Sequence, residues 1–418
     1  MPLASITSQS LSPVAATGSF AEFISREWEV IVVGAGPAGS LAARQLALAG
    51  AKVLLIDRNH FPRRKVCGCC LNAVGLQVLE EVGLKHLADR PSLPTTQQMY
   101  LATRSHRATL SLIPQGKVIS REELDTTLVR EAIAAGVDFF PGRQARLEPA
   151  MSSTSEAPFR EVWFRGETQP LRAKLILAAD GLGGSLLKPL ENQEPPVSTL
   201  EVAVPSRLGV GGMAESVPEF YQPDTIYMAY GDAGYLGLVR LADGRLDMAA
   251  AMNAEAVKQQ KGWGNALASI LGEVSFPLPD DWETIPWQGT PKLTCSRERL
   301  FAERVLVLGD AAGYVEPFTG EGMSWAMLSA YAIVPFALQA MHQGTEFAGP
   351  AWDRQYQEII GKRMRACRWI RTLGQYPFLA RRAIQLGAWF PSWTEPVMRL
   401  LHQSPKPLFE MRRASKDL

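Results

Sequence analysis

Cysteine is scarce in this sequence, with five in 418 residues. So few thiols at this length argue against a disulfide framework, and a reducing compartment is the natural setting. No stretch of about 18 consecutive apolar residues occurs, so no transmembrane segment is expected. Neither sign of charge dominates: 43 Lys and Arg face 42 Asp and Glu, for a net charge of +1. That removes the electrostatic case for a nucleic-acid partner, which rests on a basic excess. Paired histidines are missing too. The five histidines show no ligand spacing, Cys295 and Cys367 stand alone, and zinc needs a close set of four ligands, so no metal is expected. Residues 1–27 are rich in Ser, Ala and Thr but have no basic segment leading into an apolar run. A secretory signal is therefore not expected, and the stretch reads as a flexible tail. These absences leave a cytoplasmic protein whose contact with a membrane is at most peripheral.

What is present is apolar substance, 46% of the residues, in a chain long enough for two or three domains at roughly 100–200 residues each. Residues 29–33, EVIVV, form the β-branched run of a buried parallel strand. They feed Gly34-Ala35-Gly36-Pro37-Ala38-Gly39, then a helical stretch, then a second strand, VLLI, closing on Asp57. Each part has a physical task. Gly34 permits the tight turn, Gly36 lets the backbone approach a pyrophosphate, and Gly39 lets helix and strand pack closely. An acid about 20 residues on can bind a ribose hydroxyl pair. The helix N-terminus offers free N–H groups and a positive dipole end to the phosphates.

Two later turns extend the pattern. Residues 175–179 form another buried-strand run, ending in Asp180-Gly181. Residues 304–308 lead into Gly309-Asp310-Ala311-Ala312-Gly313, and Pro317, Gly320, Glu321, Gly322 and Met323 then open a long helix. Asp310 can accept hydrogen bonds from sugar-like hydroxyls, and the helix dipole near Gly320 can stabilise negative charge on a ligand. A second strand–GxGxxG–helix unit is lacking. Gly209-Val210-Gly211-Gly212 has no such context and reads as a turn, so a nicotinamide would visit only transiently.

The order GAGPAG, LID, ADG, GDAAG and P-x-TGEG resembles the para-hydroxybenzoate hydroxylase type of flavoprotein, and within it the geranylgeranyl-reductase family. The resemblance spans about residues 29 to 340. It implies FAD as cofactor. Gly34, Gly36, Pro37, Ala38, Gly39, Asp57 and Arg58 would hold the ADP half. Arg121 would stand near the phosphate and ribityl arm, Asp180 and Gly181 at the cofactor edge, and Gly309 and Asp310 on the ribityl chain. Pro317, Gly320, Gly322 and Met323 would face the pyrimidine end of the isoalloxazine. Lys65, Cys67 and Gly68 match a family C-G motif after a basic residue, beside the flavin ring.

The implied fold is α/β. A Rossmann-type FAD-binding domain (28–95, 119–190 and 285–345) is interleaved with an antiparallel β-sheet substrate domain (96–118 and 191–284). A C-terminal helical cap (346–418) follows the two, and 1–27 is the tail. Strands are expected at 97–113, 137–140, 162–164, 201–204, 225–230, 235–241 and 245–251, with helices at 121–135 and 255–271.

Three of the five cysteines crowd into KVCGCCLN, residues 65–72. Metal, disulfide and nucleophile lack supporting partners, which leaves Cys67, Cys69 and Cys70 as neighbours of the flavin pocket, or as small packing residues. Cys67 and Tyr235 are the candidate catalytic residues. The family strand Y-x-W-x-F-P is replaced here by Tyr235-Leu236-Gly237-Leu238-Val239-Arg240, and the halogenase W-x-W-x-I-P is absent. That departure tips the expectation toward NAD(P)H- and O2-dependent hydroxylation of an apolar, aromatic or polyketide-like small molecule of secondary metabolism. C=C reduction of an isoprenoid-like substrate is the alternative, and a non-redox FAD-dependent cyclase or flavin-binding protein represents another class.

Overall fold

The computed structural model describes residues 11–148, 159–191, 199–316 and 320–374. Two eight-stranded sheets organise them. In the first, Trp28–Val33 runs at the centre, parallel to Val53–Ile56 on one side and Leu171–Ala178 on the other. Asp138–Phe140 and Val305–Val307 extend the parallel set outward. Every residue of Val53–Ile56 and Val305–Val307 is buried, because helices cover both faces of such a sheet. Pro37–Leu48 packs against both Arg121–Ala134 and Gly322–Gln343. Ala145–Leu147 and Arg160–Phe164 add an antiparallel flap to Leu171–Ala178.

In the second sheet the order runs from Gln288–Lys292 through Leu208–Ala214, Leu246–Met252, Gly234–Arg240, Thr225–Gly231, Thr95–Ala102 and Arg107–Val118 to Cys70–Leu71. Its pairs are antiparallel except Thr225–Gly231 with Thr95–Ala102. Alternation sorts its side chains to two faces. Tyr227 and Ala229 join the core under helix Trp263–Glu273, whereas Ile226 and Met228 join Met99, Leu101 and Val239 on the opposite face.

Several features differ from the sequence expectation. Residues 11–27 are not a free tail: Val14 and Thr17 donate backbone bonds to Phe61 and Phe139 at 3.1 Å, and Ser19 and Glu22 cap the helix Phe20–Ile24. The cause is aromatic, since Phe23 is fully buried against Trp28 and Phe140. Residues 1–10 lie outside the described residues. Gly209–Gly212 is a strand, not a turn. A Cβ at 209 would meet Thr290 Oγ1 at 2.5 Å, at 211 Val66 at 3.0 Å, and at 212 the Trp287 ring at 2.5 Å, so these glycines admit close neighbours to a sheet.

The helix expected at 255–271 is two, Ala254–Gln259 and Trp263–Glu273, broken where Lys261 and Gly262 take positive φ. Glu201–Val202 belongs to a separate small sheet with Cys295–Ser296 and Gly313–Tyr314. The segments Cys70–Leu71 and Gln288–Lys292, expected in the nucleotide domain, pair in the second sheet.

Helix Gly322–Gln343 is long and apolar enough to cross a membrane by composition, yet most of it is buried inside the protein as a core helix. Beyond it Thr345–Tyr356 and Lys362–Gly374 continue the chain in helices. Of the C-terminal cap, residues 375–418 lie outside the described residues.

Candidate active site

The strand–turn–helix at 28–48 builds a cradle from contacts only glycine tolerates. Gly34 has φ +107°, and a Cβ there would lie 2.2 Å from the Ala179 carbonyl oxygen. A Cβ on Gly39 would lie 1.7 Å from Gly34 O, so helix and strand touch backbone to backbone. Gly36 faces open space, with the Arg63 and Arg121 guanidiniums 3.7 and 3.8 Å from its Cβ position. Helix Pro37–Leu48 starts at Gly36 with no side-chain cap, which leaves its first N–H groups available to an anion.

Charge is fixed around this opening. Arg121 Nε and Nη2 donate to both oxygens of fully buried Asp125 at 2.8 and 2.7 Å, and Arg63 reaches the same carboxylate at 3.3 Å. The bidentate geometry orients the Arg121 cation rather than neutralising the site. Arg63 Nε is buried without a hydrogen-bond partner. Asp57 accepts Ala35 N–H and Asn59 N–H at 2.8 Å each, which ties the end of its strand to the glycine turn. Asp180 accepts Leu186 N–H through Oδ2 while its Oδ1 is buried and unpartnered. Burial raises the carboxyl of Asp310, with Lys65 and Arg121 pulling the other way. Burial likewise lowers the Lys65 ammonium, whose Nζ stands 3.0 Å from the Cβ position of Gly181.

These groups line one side of a cleft of about 490 Å³ between the two sheets. Gly36, Pro37, Ala38, Arg58, Lys65, Cys67, Gly68, Arg121, Asp180, Gly181, Tyr235, Asp310, Gly320, Gly322 and Met323 all border it. Gly34 and Asp57 border an adjoining recess of about 70 Å³ with Arg58 and Lys65. Gly39 and Gly309 do not border either space; they are packing glycines behind the wall, and a Cβ on Gly309 would lie 2.8 Å from the Ala38 methyl. Pro317 lies outside the described residues. The opposite side is the second sheet, through Met99, Ile226, Met228, Gly237, Val239 and Ala249–Ala251.

The cysteine segment sits at the junction. Cys67 is pulled down to about 6 by a hydrogen bond from Cys69, against the effect of burial, with further help from Arg121. Cys69 adopts φ 51°, which turns the chain inward. Burial pushes the Cys70 thiol up. All five cysteines are free thiols. Tyr235 packs 5.6 Å from the Tyr230 ring, and Arg207 lies 5.7 Å over it while pairing with Glu316 at 2.8 Å.

Arg63, Arg207, Tyr314 and Glu316 were not nominated from sequence. Arg63 had a signal, a run of basic residues just past the adenosine-side strand. Arg207 and Glu316 had none, because their pairing depends on two distant segments meeting.

The cradle, the uncapped helix end, the two guanidiniums and the unpartnered Asp180 oxygen fit a dinucleotide with polar groups along its length. Residues 27–208 match the family model described as FAD binding domain. Over 362 residues the chain is 26% identical to digeranylgeranylglycerophospholipid reductase 1 of Methanopyrus kandleri, covering 80% of this chain and 88% of that protein. A geranylgeranyl bacteriochlorophyll reductase-like protein from Thermoplasma acidophilum superposes with a TM-score of 0.68 at 18% identity, covering 90% of this chain and 99% of that one. The flavin-dependent brominase Bmp2 superposes with a TM-score of 0.70 at 16% identity, covering 94% and 99%. At such identities the two solved structures speak for the fold alone.

Fold, cradle and domain match together define an FAD-dependent oxidoreductase. Within that class the chain is similar to proteins named digeranylgeranylglycerophospholipid reductases, at 26% and 27% identity.

Proposed function

We propose that this flavoprotein reduces carbon–carbon double bonds in an isoprenoid-like, apolar substrate. The carrying observation is its similarity, along four-fifths of its length, to proteins named as digeranylgeranylglycerophospholipid reductases. The leaning toward hydroxylation rested on the altered Y-x-W-x-F-P strand, and the cleft weakens that argument. Gly237 and Val239 occupy the Trp and Phe positions of that pattern, and both line the cleft. The change enlarges one wall and leaves the thiol and the polar groups across the cleft untouched. Among fold neighbours both halogenases and reductase-like proteins occur, so the fold does not favour oxygenation.

In this reading the glycine cradle, Arg63 and Arg121 hold the diphosphate of FAD, Asp57 and Arg58 the adenosine end, and Asp180 and Asp310 the polar middle. Lys65, Gly68, Gly320, Gly322 and Met323 border the ring. Bound FAD, reduced by NADPH, NADH or another donor, would supply the hydride chemistry. The chain's own residues exclude water, hold the alkene against the small side chains of residues 249–251, and supply a proton. Cys67 is the candidate relay for that proton, since it borders the cleft and its lowered thiol can take up a proton from behind and pass it on. Tyr235 orients substrate from the sheet side. The protein would work in the cytoplasm, peripherally at a membrane where such substrates reside.

The test is anaerobic. Enzyme reduced with dithionite is mixed under argon with a geranylgeranyl-bearing lipid. Return of the oxidised-flavin absorbance, with a product heavier by hydrogen alone, is expected. Reoxidation that waits for O2, with oxygen in the product, would overturn the proposal in favour of hydroxylation.

A further inference from the structure

Behind Cys67 lies a second, smaller cavity of about 30 Å³, large enough for a water molecule. It shares Lys65, Cys67 and Arg121 with the main cleft, and its far wall is Asp247. Asp247 sits within strand Leu246–Met252, whose other residues are all apolar, and is only 7% exposed. Its Oδ2 is buried with no hydrogen-bond partner. A carboxyl placed for architecture would tie two elements together with both oxygens. This one leaves an oxygen bare at the rim of the cavity.

We propose that Asp247 is the proton reservoir of the alkene-reducing half-reaction, in which the flavin is reoxidised, recharging Cys67 through the Cys69 thiol. The proposal rests on the alkene-reductase reading above. Cys69 links the two groups: it interacts with the Cys67 sulfur on one side and the Asp247 carboxyl on the other, and its Sγ lies 4.0 Å from Cys67 O. Burial, reinforced by negative charge on Cys67, holds the Asp247 carboxyl well above the usual carboxylate range, which favours its protonated form. The titratable and charged groups around it are Cys67 and Cys69 on the loop, Arg64 and Lys65 before them, Arg121 and Glu122 on the neighbouring helix, and Arg245 just before its own strand. At the outer end Glu122 bridges partly exposed Arg64 and Arg245, both at 3.1 Å, where bulk water can refill the carboxylate.

The balance is simple. One alkene carbon receives the hydride and its electron pair. The other receives a proton from the Cys67 sulfur, which takes one from Cys69, which takes one from Asp247, which takes one from water. No net charge is left on the protein.

The experiment uses the FAD-loaded full chain and the variants Asp247→Asn and Cys69→Ala. In wild type, infrared spectroscopy at pH 7 should show a protonated-carboxyl band that Asp247→Asn removes and Cys69→Ala keeps. Cys67 alkylation, followed by mass spectrometry across pH, should show two inflections in wild type and one in Asp247→Asn. Single-turnover alkene reduction should slow on the order of 100-fold in both variants, with a larger solvent isotope effect and unchanged KM. Absence of the infrared band in wild type, or wild-type rates and isotope effects in Asp247→Asn, overturns the proposal. Should Asp247→Asn fail to fold, the wild-type band and the Cys69→Ala rate still decide it. Should wild type not reduce alkenes at all, the function reading fails separately, while the band and the alkylation profile still judge the coupling.

Discussion

The two sides of the cleft both depend on glycine, and for opposite reasons. On the nucleotide side, Gly34 and Gly39 are dictated by backbone: a side chain would collide with carbonyl oxygens of the same cradle at 2.2 and 1.7 Å. On the sheet side, Gly237 has a β-strand conformation that any residue can take, and a Cβ would meet Met228 Sδ at 3.2 Å and the Ala249 carbonyl oxygen at an ordinary 3.5 Å. There the missing side chain is volume left for a ligand. The first kind of glycine belongs to a constraint that cannot be relaxed. The second is an adjustable wall, so changes on the two sides should differ in kind as well as size.

Gly39→Ala is the harshest way to probe that difference. Its Cβ can be accommodated only by pulling the helix Pro37–Leu48 away from Trp28–Val33, which spoils the N–H groups at the helix start. Overpacking of this sort costs about 1–3 kcal/mol or more. We expect protein that purifies without flavin, read from its visible absorbance, and with a lowered Tm. A yellow, normally stable Gly39→Ala protein would show that the cradle is looser than its contacts imply.

Next comes Cys67→Ser, a change at the junction of the two sides. The sulfur's depressed value means that thiolate predominates above about pH 6 and thiol below it. Wild-type alkylation at Cys67 should therefore fall about tenfold per unit as pH drops below 6, beneath the second inflection that coupling to Asp247 adds. A serine hydroxyl cannot ionise in this range. Alkene reduction should fall on the order of 100-fold in Cys67→Ser, with flavin content unchanged. A pH-independent alkylation rate from 5 to 8 would remove the thiol from the chemistry.

The same contrast explains what could be read from the sequence. The cradle was legible because its constraints are local: a turn, a helix start and a strand-end acid occur within residues 28–57 in fixed order. Asp180 and Asp310 were legible because each follows a buried strand at a turn that pairs Asp with Gly, Asp180-Gly181 and Gly309-Asp310. The sheet side was not. Gly209–Gly212 read as a turn because glycine lowers strand propensity, and only the nearness of Thr290, Val66 and Trp287, all far away in sequence, reveals why a strand should carry it. The Arg207–Glu316 pair and the placement of Asp247 behind the cysteines likewise depend on pairing across long separations. The burial of residues 11–27 was hidden by composition, since a few aromatics in a Ser- and Ala-rich stretch outweighed the rest.

The mildest test lies on the adjustable wall. Gly237→Ala adds one methyl to the side of the cleft that faces the substrate, against a flexible methionine that can yield. Tm should change by little and bound flavin not at all, because no backbone group of the cradle is touched. What should change is preference among substrates: KM should rise a few-fold for the bulkiest prenyl chains and stay put for short ones, since a single methyl group in an apolar pocket shifts binding by about 1 kcal/mol. Tyr235→Phe, two residues away on the same strand, keeps the ring against Tyr230 and Arg207 and should cost still less, within about threefold in kcat/KM. If Gly237→Ala instead lost its flavin, the wall would belong to the cofactor's side of the cleft, and the division between a fixed half and an adjustable half would have to be redrawn along the strand Gly234–Arg240.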